Sequence, residues 1–66
     1  MTPYRCCFID WQGEPLPHPF PIGAANLEGA IERGLEALGM QPQHVGFEIR
    51  DEDRVLHRYV RPRREF

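Results

Sequence analysis

Lysine is absent from this 66-residue chain, and all eight of its basic residues are arginine. Arginine alone suits bidentate contacts with anions, although a bias of the genome toward arginine codons accounts for it equally well. No stretch approaches the roughly 18 uninterrupted apolar residues of a membrane span, and the opening MTPYRCCFIDW lacks a basic region followed by an apolar core. The expectation is a soluble, cytoplasmic protein. Cysteine is scarce: only Cys6 and Cys7 occur, adjacent in a predicted strand where neighbouring side chains point to opposite faces. That excludes a disulfide between them and reads as two reduced thiols. The chain is also too short for much interior. A domain of this size buries only about 60% of the surface its unfolded form exposes, which argues against a sizeable enclosed active site.

Charge is present in ordinary amount but unevenly placed. Residues 1–53 hold three Arg against nine acids, whereas residues 54–66 hold five Arg against Glu65. An acidic body with a basic end can pair internally, self-associate, or offer the end to an anionic partner.

Proline is abundant, and four of the seven fall at every second position in EPLPHPFPI, at 15, 17, 19 and 21. A polyproline helix repeats every three residues and SH3-type ligands need P-x-x-P, which this spacing never supplies. A period of two is that of a strand. YRCCFI, residues 4–9, is a strand candidate and runs into DWQGE, where Asp10 and Gly13 suit a three-residue hairpin loop of Trp11, Gln12 and Gly13. That loop sets Asp10 opposite Glu14, Phe8 opposite Leu16, Cys6 opposite His18 and Tyr4 opposite Phe20. Every proline of the run then occupies a site that owes no N–H to the first strand, and the outer edge is left short of donors, which blocks edge-to-edge pairing.

NLEGAIERGLEALG, residues 26–39, carries Leu27, Ala30, Ile31, Gly34, Leu35 and Leu38 on one helical face, with Asn26 as N-cap, Gly39 just past the end and Pro42 beyond. Gly34 lies within that face and costs the helix about 1 kcal/mol relative to alanine, so an aromatic ring from the sheet, Tyr4, Phe20 or Phe47, is expected to approach it. VGFEIR (45–50) and RVLHRYV (54–60) form a second hairpin across the acidic DED. Its register is open: a three-residue loop aims Val55, His57 and Tyr59 inward, and a two-residue loop aims Leu56, Arg58 and Val60 inward. The first keeps Arg58 wet and is preferred.

The sum is an α+β fold, β-β-α-β-β, with a four-stranded antiparallel sheet and one helix packed on one face. Residues 1–60 form the single domain and 61–66 an Arg-rich tail. The sequence YRCCFIDWQGE, followed by an amphipathic helix and GFEIRDEDRVL, resembles a small uncharacterised proteobacterial domain type. Its members run Y-R, alternating apolar residues, D-x-x-G, a helix, F-E-aliphatic and an acidic turn. The resemblance spans residues 4–60 and implies the same β-β-α-β-β fold, with no assigned activity to carry over. The proline run departs from that pattern.

No C-x-x-C or H-x-x-x-H spacing accompanies Cys6, Cys7, His18, His44 and His57, so no zinc site, cofactor or catalytic residue is expected. Cys6 beside His18 is the one pairing a nucleophile could use. The uncovered sheet face, carrying Cys7, Ile9, the proline rings and part of Leu56 and Val60, is more apolar than an open face should be. The functional expectation is therefore a non-enzymatic protein-interaction or regulatory domain that forms a homodimer through that face, with Ile9, Trp11, Arg58, Arg61, Arg63 and Arg64 at the contact. The alternative is a nucleic-acid-associated accessory protein that binds through the Arg-rich tail.

Overall fold

The period-3.6 segment becomes a helix and the period-two segments become strands, the proline run only from Phe20 onward. The computed structural model describes residues 2–62. The elements are β1 (Thr2–Ile9), β2 (Phe20–Ala24), α1 (Leu27–Gly39), β3 (Gly46–Asp51) and β4 (Arg54–Val60). They form one antiparallel sheet in the order β2-β1-β3-β4, with α1 packed on one face. Because α1 carries the chain back across the sheet, β3 pairs with the free side of β1, and β2 and β4 become the edges.

The first hairpin loop forms as expected. Gly13 sits at φ 87, a backbone region that favours glycine. Its N–H donates to Asp10 O, and Asp10 Oδ1 accepts from the N–H groups of Gln12 and Glu14 at 2.9 Å. Asp10 N–H donates to Glu14 O and Leu16 N–H to Phe8 O, so the register holds as far as Leu16.

Beyond Leu16 it changes. Cys6 faces Phe20 and Tyr4 faces Ile22, where His18 and Phe20 were expected. Pro17, His18 and Pro19 leave the ladder as a bulge that adds two residues to the proline strand. The bulge puts a phenyl ring opposite Cys6, where the unbulged strand would have buried an imidazole, and leaves His18 exposed. A shift of two keeps each residue on its face. Even-numbered residues of β1 bond to β2, so the Ile9–Pro15 and Arg5–Pro21 pairs need no N–H from proline. The edge protection expected of the prolines therefore stands at Pro15 and Pro21.

The helix starts where the cap predicts, with Asn26 Oδ1 accepting from Gly29 N–H at 2.9 Å. It ends one residue later than expected. Gly39 is its last residue, and Met40, at φ −91, closes the turn by donating to Ala37 O. Ala30, Gly34 and Leu38 are the buried stripe, with Leu27 and Ile31 at its border and Leu35 turned outward. The ring that approaches Gly34 is that of Phe47: a β-carbon at 34 would lie 2.5 Å from Phe47 Cε2.

The second hairpin satisfies both registers in part. Its loop has two residues, Glu52 and Asp53, yet His57 and Tyr59 still face inward opposite Ile49 and Phe47. The reconciling feature is a bulge, since Arg50 pairs with Val55 and Ile49 with His57, leaving Leu56 as the extra residue. Leu56 packs against the core, and Val55, expected inward, is exposed instead. The rings of Phe47 and Tyr59 lie 5.7 Å apart between centroids, and Phe8 stacks on His44 at 4.8 Å. The core joins Tyr4 and Cys6 of β1, Ile22 and Ala24 of β2, Phe47 and Ile49 of β3, and the helical stripe.

The opposite sheet face is less open than the alternation implies. Ile9 is 0% exposed and Cys7 nearly so, because residues 13–16 lie against this face: Cys7 Sγ donates to Leu16 O at 2.9 Å and Arg58 reaches Gly13 O at 3.1 Å. The expectation of an uncovered apolar face is corrected accordingly, and Ile9 has no surface to offer in this fold.

Candidate functional site

Val45, the residue before β3, is tied on both sides: its N–H donates to Ile9 O at 3.0 Å and its carbonyl accepts from Arg61 N–H at 2.7 Å. This fixes the chain leaving β4 beside the first hairpin loop. A groove of about 560 Å³ results, lined by Trp11, Gly13, Val45, Val60, Arg61 and Pro62 among others. Trp11 is 70% exposed and Val60 46%. Two exposed apolar side chains thus flank one groove on a hydrogen-bonded frame.

Behind the groove lies a charge cluster. Glu48, on the middle of β3 and 4% exposed, accepts from Arg50 Nη2 at 2.6 Å through one oxygen and from Arg58 Nη1 at 3.1 Å through the other. Arg58 is its direct cross-strand neighbour and Arg50 stands two residues along the same strand. Two guanidinium groups on one carboxylate leave one positive charge in excess, and the contact with Glu48 raises the Arg50 pKa further. Arg61 Nη2 donates to Leu38 O at 2.6 Å, placing a cation at the C-terminus of α1.

Of the residues the sequence marks for contact, Trp11 and Arg61 meet in the groove, and Arg58 stands behind it, holding the Gly13 carbonyl. Ile9 is buried beneath the first hairpin, and Arg63 and Arg64 lie outside the described residues. Glu48, Val45 and Pro62 were missed. Only Glu48 left a signal, as an acid on the outward phase of FEIR, but its meaning depends on which β4 residue lies opposite.

The thiols are poor candidates for chemistry. Cys6 faces Phe20, so the cross-strand pairing with His18 on which a nucleophile depended does not form. Burial, and secondarily Cys7, pushes the Cys6 pKa from 9.0 up to about 12, and burial raises that of Cys7 as well. Because the folded value lies above the unfolded one, the stability this group contributes is complete below about pH 9 and is lost as pH climbs toward 12. The urea midpoint is expected to fall across that interval. At pH 8 the native Cys6 thiol should react with an aromatic disulfide reagent roughly a thousandfold more slowly than the unfolded chain. Rapid native labelling of Cys6 would contradict its burial.

Among the described residues, no group of three or more His, Cys, Asp or Glu side chains could hold a metal ion, and no helix is long and apolar enough to cross a membrane. The chain matches no family model, no curated protein and no solved structure.

Proposed function

We propose that this chain is a small non-catalytic interaction domain that engages a protein partner through the groove between Trp11, Val60 and Pro62. The observation that carries this reading is the exposure of Trp11 and Val60 on either side of one groove whose backbone is pinned by Val45. An exposed loop tryptophan is a frequent energetic anchor of interfaces. Self-association through the sheet's outer face draws less support, because Ile9 and Cys7 are consumed within the protomer. Nucleic-acid binding by the basic end also draws less support, since a long polyanion would meet the nine acids that residues 1–53 hold against three Arg.

The test is a photo-crosslinking residue placed in turn at positions 11, 60 and 32 in cells. Discrete adducts are expected from 11 and 60, resistant to nuclease, and none from Glu32, which is exposed on α1 beside Glu28 and Glu36. An adduct at twice the 7.7 kDa chain mass would identify the partner as a second copy. Adducts of equal pattern from all three positions, or none from 11 and 60, would overturn the proposal.

A further inference from the structure

The two edges of the sheet differ. In β2 the residues whose backbone groups face outward are Pro21, which has no N–H, and Gly23. In β4 the odd residues bond to β3: Arg61 N–H donates to Val45 O, and Tyr59 and His57 pair with Phe47 and Ile49. Arg58 and Val60 therefore turn both N–H and C=O away from the sheet. The Leu56 bulge closes this stretch at one end and Pro62, which lacks a donor, at the other. Among the described residues nothing pairs with this edge at residues 57–61, and Val60 within it borders the groove that Trp11 also lines.

Charge narrows what can pair there. From Arg54 to Pro62 there are three arginines and no acid. The Glu48 cluster, to which Arg58 belongs, carries an excess positive charge, and Arg61, which lines the groove, has a buried Nε with no acceptor among the described residues. A second copy of β4 is a poor occupant. A two-fold register centred on Arg58 sets Arg58 against Arg58, and every antiparallel register brings together two Arg54–Pro62 segments that each carry three arginines and no acid. Like charges directly opposite in a sheet are destabilising.

Building on the interaction-domain reading above, we infer that the partner segment is an extended acidic peptide that adds to β4 as a fifth strand and drops an apolar side chain into the Trp11–Val60–Pro62 groove. Backbone hydrogen bonds to Arg58 and Val60 hold the strand, the groove takes one side chain, and the arginines select carboxylates on its neighbours.

The probe is a blocked seven-residue peptide alternating glutamate with valine around a central phenylalanine. It is titrated against the full chain with Trp11 fluorescence, from the sole tryptophan, and backbone amide exchange as readouts. Saturable binding is expected, with slowed exchange at the Arg58 and Val60 amides and none at Gly23. A lysine-for-glutamate peptide should bind about tenfold more weakly. A peptide N-methylated at alternate amides should lose a similar factor, because it cannot donate to the outward carbonyls of Arg58 and Val60. Val60→Pro, which removes an outward donor without touching the β3 ladder, should weaken binding likewise. The N-methylated peptide repeats that test on unaltered protein. Undiminished binding of the N-methylated peptide, or protection elsewhere than at 58 and 60, overturns strand addition. Equal binding of the lysine peptide overturns the acidic preference. Should neither peptide bind while crosslinks still form at position 11, strand addition fails and the groove reading survives; loss of both results removes both.

Discussion

Phe47→Ala is expected to remove about 3–5 kcal/mol of folding free energy, which for 66 residues is comparable with the whole stability of roughly 3–10 kcal/mol. Phe47 is fully buried and meets the helix at Gly34, the sheet beside Ile49, and the ring of Tyr59. The surrounding strands cannot collapse into the space without losing register. The contact with Gly34 can be isolated by a double-mutant cycle. Gly34→Ala alone should cost about 1–3 kcal/mol, because its β-carbon falls 2.5 Å from a ring that has nowhere to move. In the Phe47→Ala background the same change should be neutral or stabilise by up to about 1 kcal/mol, the gain in helix propensity then being unopposed. Urea unfolding at 25 °C measures all four corners. An unchanged cost of Gly34→Ala in both backgrounds would show that the ring does not set the need for glycine.

Gly46→Ala should reach the upper end of overpacking costs, about 3 kcal/mol, and should dismantle the groove before the rest of the domain. Its β-carbon would collide with Tyr59 O and Val60 Cα, both backbone atoms of β4. A side chain in the way can rotate, but a neighbouring strand can only move off. Since Val45 and Val60 flank this contact and line the groove, amide protection in β4 and the emission of Trp11 should change at lower urea than the signal of α1. A variant with the wild-type midpoint and β4 protection intact would show that β3 and β4 separate there without cost.

Much of this architecture was legible from residues close together in the chain. The Asp10–Gly13 turn, the Asn26 cap, the helical stripe and the approach of an aromatic ring to Gly34 each rest on interactions within a few residues or on one missing β-carbon. The site was less legible. Trp11 could be placed on an exposed loop tip, but its neighbours Val45, Val60, Arg61 and Pro62 come from the other end of the chain. Ile9 illustrates the converse: alternation put it correctly on the outer face, but could not reveal that residues 13–16 lie against that face.

The proline run and the DED turn mark the boundary between the two kinds of information. By itself the sequence determined a β-β-α-β-β order, the faces of the first three strands and the start of the helix, because side-chain period and turn chemistry are local. Register was decided only by the folded sheet. A slip of two residues leaves every side chain on the same face, so no pattern of alternation separates Cys6 opposite His18 from Cys6 opposite Phe20; the choice rests on which ring the core can bury. The Leu56 bulge likewise resolves a conflict between a two-residue turn and an inward Tyr59 that exists only once β3 is alongside. Those two bulges set how far each edge strand stays paired with its neighbour.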